Sequence, residues 1–205
     1  MSINGPVGRL DAIYSEAEIE TGRTAILCHP HPLYGGSMND MVLSSIERAL
    51  LSCGVNSLRF NFRSVGNSEG LHADGIGEVD DVVAAANWVR GKSADNRIIL
   101  AGYSFGGAVA LSSQRLVLPN SLLLIAPAIG MFGEQDQPIS DSLVIFAEND
   151  QFVSTESMVE WFEGSKTKVE QIPNTDHFFA GRHDKIEEIV RNYAKRDRVV
   201  RQIWN

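Results

Sequence analysis

The chain has 205 residues, 43% of them hydrophobic and 21% charged. That is the size of one domain able to bury a substantial core, and residues 1–205 are read as a single domain. Eighteen Lys and Arg stand against 26 Asp and Glu, a net charge of −8, so there is no basic surface for phosphates and nucleic acid is excluded as a partner. Met1 to Glu20 is broken by Gly5, Pro6, Arg9 and several acids, unlike a secretory leader, and no apolar run reaches membrane-spanning length. The expectation is a cytoplasmic protein with no membrane partner. Cys28 and Cys53, the only cysteines, suit that compartment as free buried thiols.

The elements alternate along the chain. An edge strand near Arg9–Tyr14 precedes a strand at Thr24–Cys28, a helix from about Asn39 to Ser52 and a strand at Val55–Phe62. In Ile76–Arg90, Val79, Val82, Val83, Ala86 and Val89 recur at helical spacing. The apolar run Arg97–Ala101 leads into a helix opening at Gly107, and strands follow at Ser121–Ala126 and Ser142–Ala147. A helix near Thr155–Phe162, a last strand at Lys168–Pro173 and a long helix from Asp184 complete the series. Alternation of this kind predicts an α/β fold: a mostly parallel sheet with helices on both faces.

Gly102-Tyr103-Ser104-Phe105-Gly106 joins a strand to a helix. This is the setting of the G-x-S-x-G nucleophile elbow, in which a sharp, strained turn lifts a serine hydroxyl above the sheet edge and glycines stand where a Cβ would clash. An elbow of this kind needs an acid and then a histidine downstream. Asp150 lies on the turn after Ser142–Ala147, with Glu148 as the alternative acid, and Asp150 as a helix-capping residue is the competing reading. Of the five histidines, His29, His31, His72 and His183 lie elsewhere; only His177 lies on the loop after the last strand. Both loops sit at strand carboxyl ends, where open α/β sheets carry their chemistry.

With Gly102–Gly107, the segments Cys28–Asp40, Leu58–Gly70, Asp74–Glu78 and His177–Phe179 give a chain that resembles small, single-domain bacterial α/β-hydrolases, close to dienelactone-hydrolase-like carboxylesterases. The resemblance spans nearly the whole chain. It implies Ser104 as nucleophile, Asp150 as acid and His177 as base, acting on a small-molecule ester without metal or cofactor. Dienelactone hydrolases proper carry cysteine at the elbow; the serine here points to ordinary ester hydrolysis. A thioesterase, an amidase or a non-catalytic binding module on the same scaffold are the alternatives.

The His29-Pro30-His31-Pro32 segment ends a strand where this superfamily supplies its second oxyanion donor, beside the N–H of Phe105. Prolines cannot donate, and by analogy the N–H of His31 is favoured, with Leu33 and Tyr34 next. Leu33 and Tyr34 are also expected at the substrate. A metal held by His29 and His31 lacks further ligands at recognisable spacing; His29 reads better as a buried hydrogen-bonder. Arg59 and Arg63 suit either a substrate carboxylate or, as favoured, loop support, with Glu69 or Asp74 as partner to Arg63. Asp74, Glu78, Asp80 and Asp81 read as acids at the start of a helix. The short stretch Pro127–Asp141 leaves no room for a cap domain, and Met131 and Phe132 are expected as an apolar lip beside Ser104. Val199, Val200, Ile203 and Trp204, among basic residues at the end of the last helix, leave the chain a monomer or, through that surface, a homodimer.

Overall fold

The computed structural model describes residues 1–93 and 95–202, with side chains to residue 196. Its described strands form one sheet in the order β1 (Ser2–Gly5), β2 (Gly8–Ser15), β4 (Asn56–Phe60), β3 (Arg23–Cys28), β5 (Arg97–Tyr103), β6 (Ser121–Ile125), β7 (Asp141–Ala147), β8 (Thr167–Ile172). β2 runs antiparallel to both its neighbours, and every later pairing is parallel. Strands β3, β6 and most of β5 and β7 are buried along their length, the pattern of a parallel sheet covered on both faces.

Alternation along each strand sorts the core into two layers. Ile26, Cys28 and Leu100 face helices α2 (Ile76–Lys92) and α3 (Phe105–Val117), while Ala25, Leu27, Ile99 and Ala101 face α1 (Met41–Leu51) and α5 (His183–Gln202). Helix α4 (Thr155–Phe162) adds Phe162 to the first layer. Asp40 caps α1 by accepting the N–H groups of Val42 and Leu43, and Ser154 rather than Asp150 caps α4. These caps satisfy donors that the helices leave free.

The observed elements follow the order expected from periodicity, but β4 stops at Phe60, a 3-10 turn at Pro32–Tyr34 is added, and β2, expected at the edge of the sheet, is covered there by a further strand. Strand β1 was not foreseen; it closes a hairpin with β2 and contributes a single inward side chain, Ile3. The apolar positions at 199, 200, 203 and 204 lie outside the described side chains. No described helix is long and apolar enough to cross a membrane.

The acids near α2 depart from expectation in one pairing, that of Arg63. Arg63 does support its own loop, but its partner is Asp81, which takes Nε and Nη2 in a forked pair at 2.8–3.2 Å and also accepts the Arg63 N–H. Glu69 instead pairs with Arg9 at the surface. Glu78 and Asp81 are wholly buried; Glu78 accepts the N–H groups of Ala73 and Gly75 and faces His72. Glu78 stands in the first turn of α2, as expected of an acid at a helix start, and both it and Asp81 lie on the inner side of the helix. Arg59 is likewise spent internally, on Glu47 at 3.1 Å.

Breaking a buried pair from one side strands a charge away from water. Arg63→Ala is therefore expected to lower stability by about 3–5 kcal/mol, read as a fall in the urea midpoint. Arg9→Ala, at an exposed pair, leaves the midpoint in place.

Candidate active site

Segments at the carboxyl ends of β3, β6, β7 and β8 meet around Ser104. The serine sits between β5 and α3 at φ 53° and ψ −119°, a region that non-glycine residues rarely occupy and that costs about 1–3 kcal/mol. Its surroundings hold it there. Ser104 N–H donates to Ile125 O, and Ser104 O accepts from Ala108 and Ala128. A Cβ on Gly102 would lie 2.2 Å from Gly106 O, and one on Gly106 would lie 2.1 Å from Cys28 O. Only glycine permits either approach.

Asp150 and His177 reach the same point from the turns after β7 and β8. His177 Nε2 lies 3.0 Å from Ser104 Oγ, and His177 Nδ1 lies 2.7 Å from Asp150 Oδ2. Asp150 keeps its other oxygen for the N–H groups of Phe152 and Val153, both at 2.9 Å. The carboxylate is thus a turn-former and the imidazole's partner at once. A buried carboxylate facing Nδ1 favours the tautomer with its proton there, which leaves Nε2 to accept from the serine. Tyr103 OH donates to His177 O at 3.0 Å and fixes the loop from below. Glu148, the alternative acid, is exposed and turned aside, accepting the N–H of Asn174.

The segment after β3 forms a tight 3-10 turn at Pro32–Tyr34. Leu33 N–H is taken by His31 Nδ1 and Tyr34 N–H by His31 O. The N–H groups of His31 and Phe105 donate to no acceptor among the described residues. Of the three candidate donors in this segment, His31 alone is therefore uncommitted. The rings of His31 and Phe105 stand 4.7 Å apart, so the two segments are in contact.

His29 holds that turn. Its buried ring directs Nδ1 at Pro30 O, 2.6 Å away, and accepts Phe62 N–H at Nε2, 3.0 Å away. Both nitrogens are used, as a structural hydrogen-bonder requires and a metal ligand does not. Around His31 lie Tyr34, His72 and, through Phe105, Phe132. Leu33, Tyr34 and Met131 are more than half exposed at the rim.

Segment 126–140, between β6 and β7, is irregular and lies along α3. Gln135 donates to Ala108 O and Ser112 Oγ, and the buried Gln114 donates to the carbonyls of Asp136 and Gln137. Among the described residues no cap domain stands over Ser104. A groove of about 940 Å³ opens between α4 and β8, but Ser104, His177 and Asp150 are not among the residues that line it. The sequence did not single out Phe152 and Phe178, which touch the His177 ring; their position immediately beside Asp150 and His177 was the available signal.

Residues 25–202 match the model of the alpha/beta hydrolase family. The chain belongs to that family. It is 32% identical to an uncharacterised protein of Rickettsia prowazekii, over 93% of this chain and 86% of the other. It is also similar to the Xanthomonas campestris protein XC6422, a serine hydrolase without a lid, at 34% identity and TM-score 0.89 over 96% and 93% of the two chains. An alpha-beta serine hydrolase homologue from Coxiella burnetii gives 33% identity and TM-score 0.90 over 94% and 95%.

Burial lowers the His29 pKa to about 4 against the opposing pull of the Pro30 carbonyl. The unfolded chain then takes up a proton, between its ordinary value near 6.5 and the folded value, that the native ring refuses. The linked stability is complete above pH 6.5 and about 3 kcal/mol of it is lost as pH falls through 4. Thermal unfolding midpoints of the wild type should drop across this window more steeply than those of His29→Gln.

Proposed function

We propose that the protein is a serine hydrolase of carboxylic esters that works through Ser104, His177 and Asp150. The hydrogen-bonded chain from Ser104 Oγ through the imidazole to Asp150, on a serine in strained backbone, carries this reading. Ser104 attacks the ester carbonyl as His177 Nε2 takes its proton, and Asp150 orients the ring and stabilises its charged form. The oxyanion is met by the N–H groups of Phe105 and His31, with the amino end of α3 behind the first. The alcohol leaves with the proton from His177, and water activated by the same ring releases the acid. None of these steps calls on a metal or cofactor. The serine-hydrolase description of the Xanthomonas and Coxiella relatives agrees with this chemistry.

The test is active-site labelling with a fluorophosphonate. Ser104→Ala should abolish labelling and cut ester turnover by on the order of 10⁴ to 10⁶. Asp150→Asn should cost roughly 10² to 10⁴ by leaving the imidazole in the wrong tautomer. Retention of most activity in Ser104→Ala overturns the assignment.

The uncapped site supports short acyl groups, held at the lip formed by Leu33, Tyr34, Met131 and Phe132. A lid would bury a long chain at about 0.8 kcal/mol per CH₂; without one, little is gained beyond the first carbons. In a p-nitrophenyl ester series kcat/KM should peak at about two to six acyl carbons and then flatten. A steady rise to long chains, measured below their micelle concentrations, contradicts it.

A further inference from the structure

The imidazole of His177 is bordered by aromatic rings. In acyl transfer a bond forms between Ser104 Oγ and the acyl carbon, the acyl carbon's bond to the alcohol oxygen breaks, and the proton first taken by His177 passes to that departing oxygen. The alcohol oxygen must then come within hydrogen-bond reach of His177 Nε2, and the rest of the alcohol must lie against whatever borders the imidazole. Besides the buried Tyr103, 5.4 Å from it at 33°, those neighbours are Phe152, 5.1 Å from it at 74°, and Phe178, 5.8 Å from it at 86°. The two phenyl rings stand 6.0 Å from each other at 86°.

The burial of these three rings is unequal. His177 is only 5% exposed, while Phe152 and Phe178 are 67% and 55% exposed. Each phenyl touches the imidazole and leaves more than half its surface to solvent, so neither is a core residue that folding requires. Their backbones are fixed close by: Phe152 N–H on Asp150 Oδ1, the carboxylate that orients the imidazole, and Phe178 N–H on Asp176 Oδ1. A pair of open rings anchored on the base loops is available to a third ring in edge-to-face or offset contact, which adds attraction beyond the area buried. An alkyl group of the same size gains the area alone.

We propose that Phe152 and Phe178 form a leaving-group subsite that selects esters of aryl and arylmethyl alcohols. This rests on the reading of Ser104, His177 and Asp150 given above. It adds specificity on the side of the bond opposite the acyl lip.

Benzyl acetate and cyclohexylmethyl acetate test it, since the two alcohols are close in size and basicity and both esters yield the same acetyl-enzyme. Wild-type kcat/KM, which reports the acylation half-reaction, should favour the benzyl ester by about tenfold. In Phe152→Leu/Phe178→Leu the preference should collapse toward unity, with melting temperature unchanged because both positions are exposed. Equal kcat/KM for the two esters in a wild type that still labels with fluorophosphonate overturns the subsite alone. So does a double variant that loses both activities while keeping their ratio, for the rings would then only shield His177 from water. Absence of labelling in the wild type overturns the triad reading and the subsite with it.

Discussion

The first turn of α3 lies against the end of β3, and the site depends on that contact. With no Cβ on Gly106, its backbone can approach the carbonyls of Cys28 and His29, and the elbow of one strand locks against the loop of its neighbour. Any larger residue would drive the two apart. The same contact brings two separate segments together, with the rings of His31 and Phe105 4.7 Å apart. The strain at Ser104 is held from several sides at once, which fixes the backbone that carries the hydroxyl.

Support for that contact comes from polar groups buried under the neighbouring loops. His29 ties β3 to Phe62, Arg63 ties the end of that segment to Asp81, and Glu78 gathers the turn before α2. All three lie on the side of the His31 segment. The base side is organised differently, through the Asp150 and His177 turns and the Tyr103 hydroxyl beneath them. The His31 segment is thus set by a buried hydrogen-bond network and the His177 ring by two short turns, so the two sides of Ser104 rest on separate foundations.

Much of this was legible in the sequence, for reasons particular residues make plain. Runs such as Ile98–Ala101 and Leu122–Ile125 are apolar throughout because both faces of the sheet are covered, and the glycines of 102–106 announce a turn that tolerates no side chain. Strand β1 was invisible because only Ile3 of its four residues points inward. The partner of Arg63 was misjudged because Asp81 is remote in sequence and its place on the inner face of α2 is a tertiary fact; read locally, an acid near a helix start looks like a response to the helix dipole. That the N–H groups of Leu33 and Tyr34 are consumed within a 3-10 turn while that of His31 is not is something composition does not reveal. Phe152 and Phe178 were passed over because exposed loop aromatics carry no periodicity.

The segment between β6 and β7 leaves and re-enters the sheet at adjacent strands and is fastened to α3 largely by glutamine amides. Such a connection is free to grow. Doubling the length of a loop costs only about 0.6 kcal/mol in closure entropy, and additional residues here would extend above Ser104 without passing through either layer of the core. In evolutionary terms this is where the scaffold is most easily elaborated: a new cover, and with it a new acyl preference, can be acquired by insertion at one point while the elbow, the base loops and the oxyanion donors stay as they are.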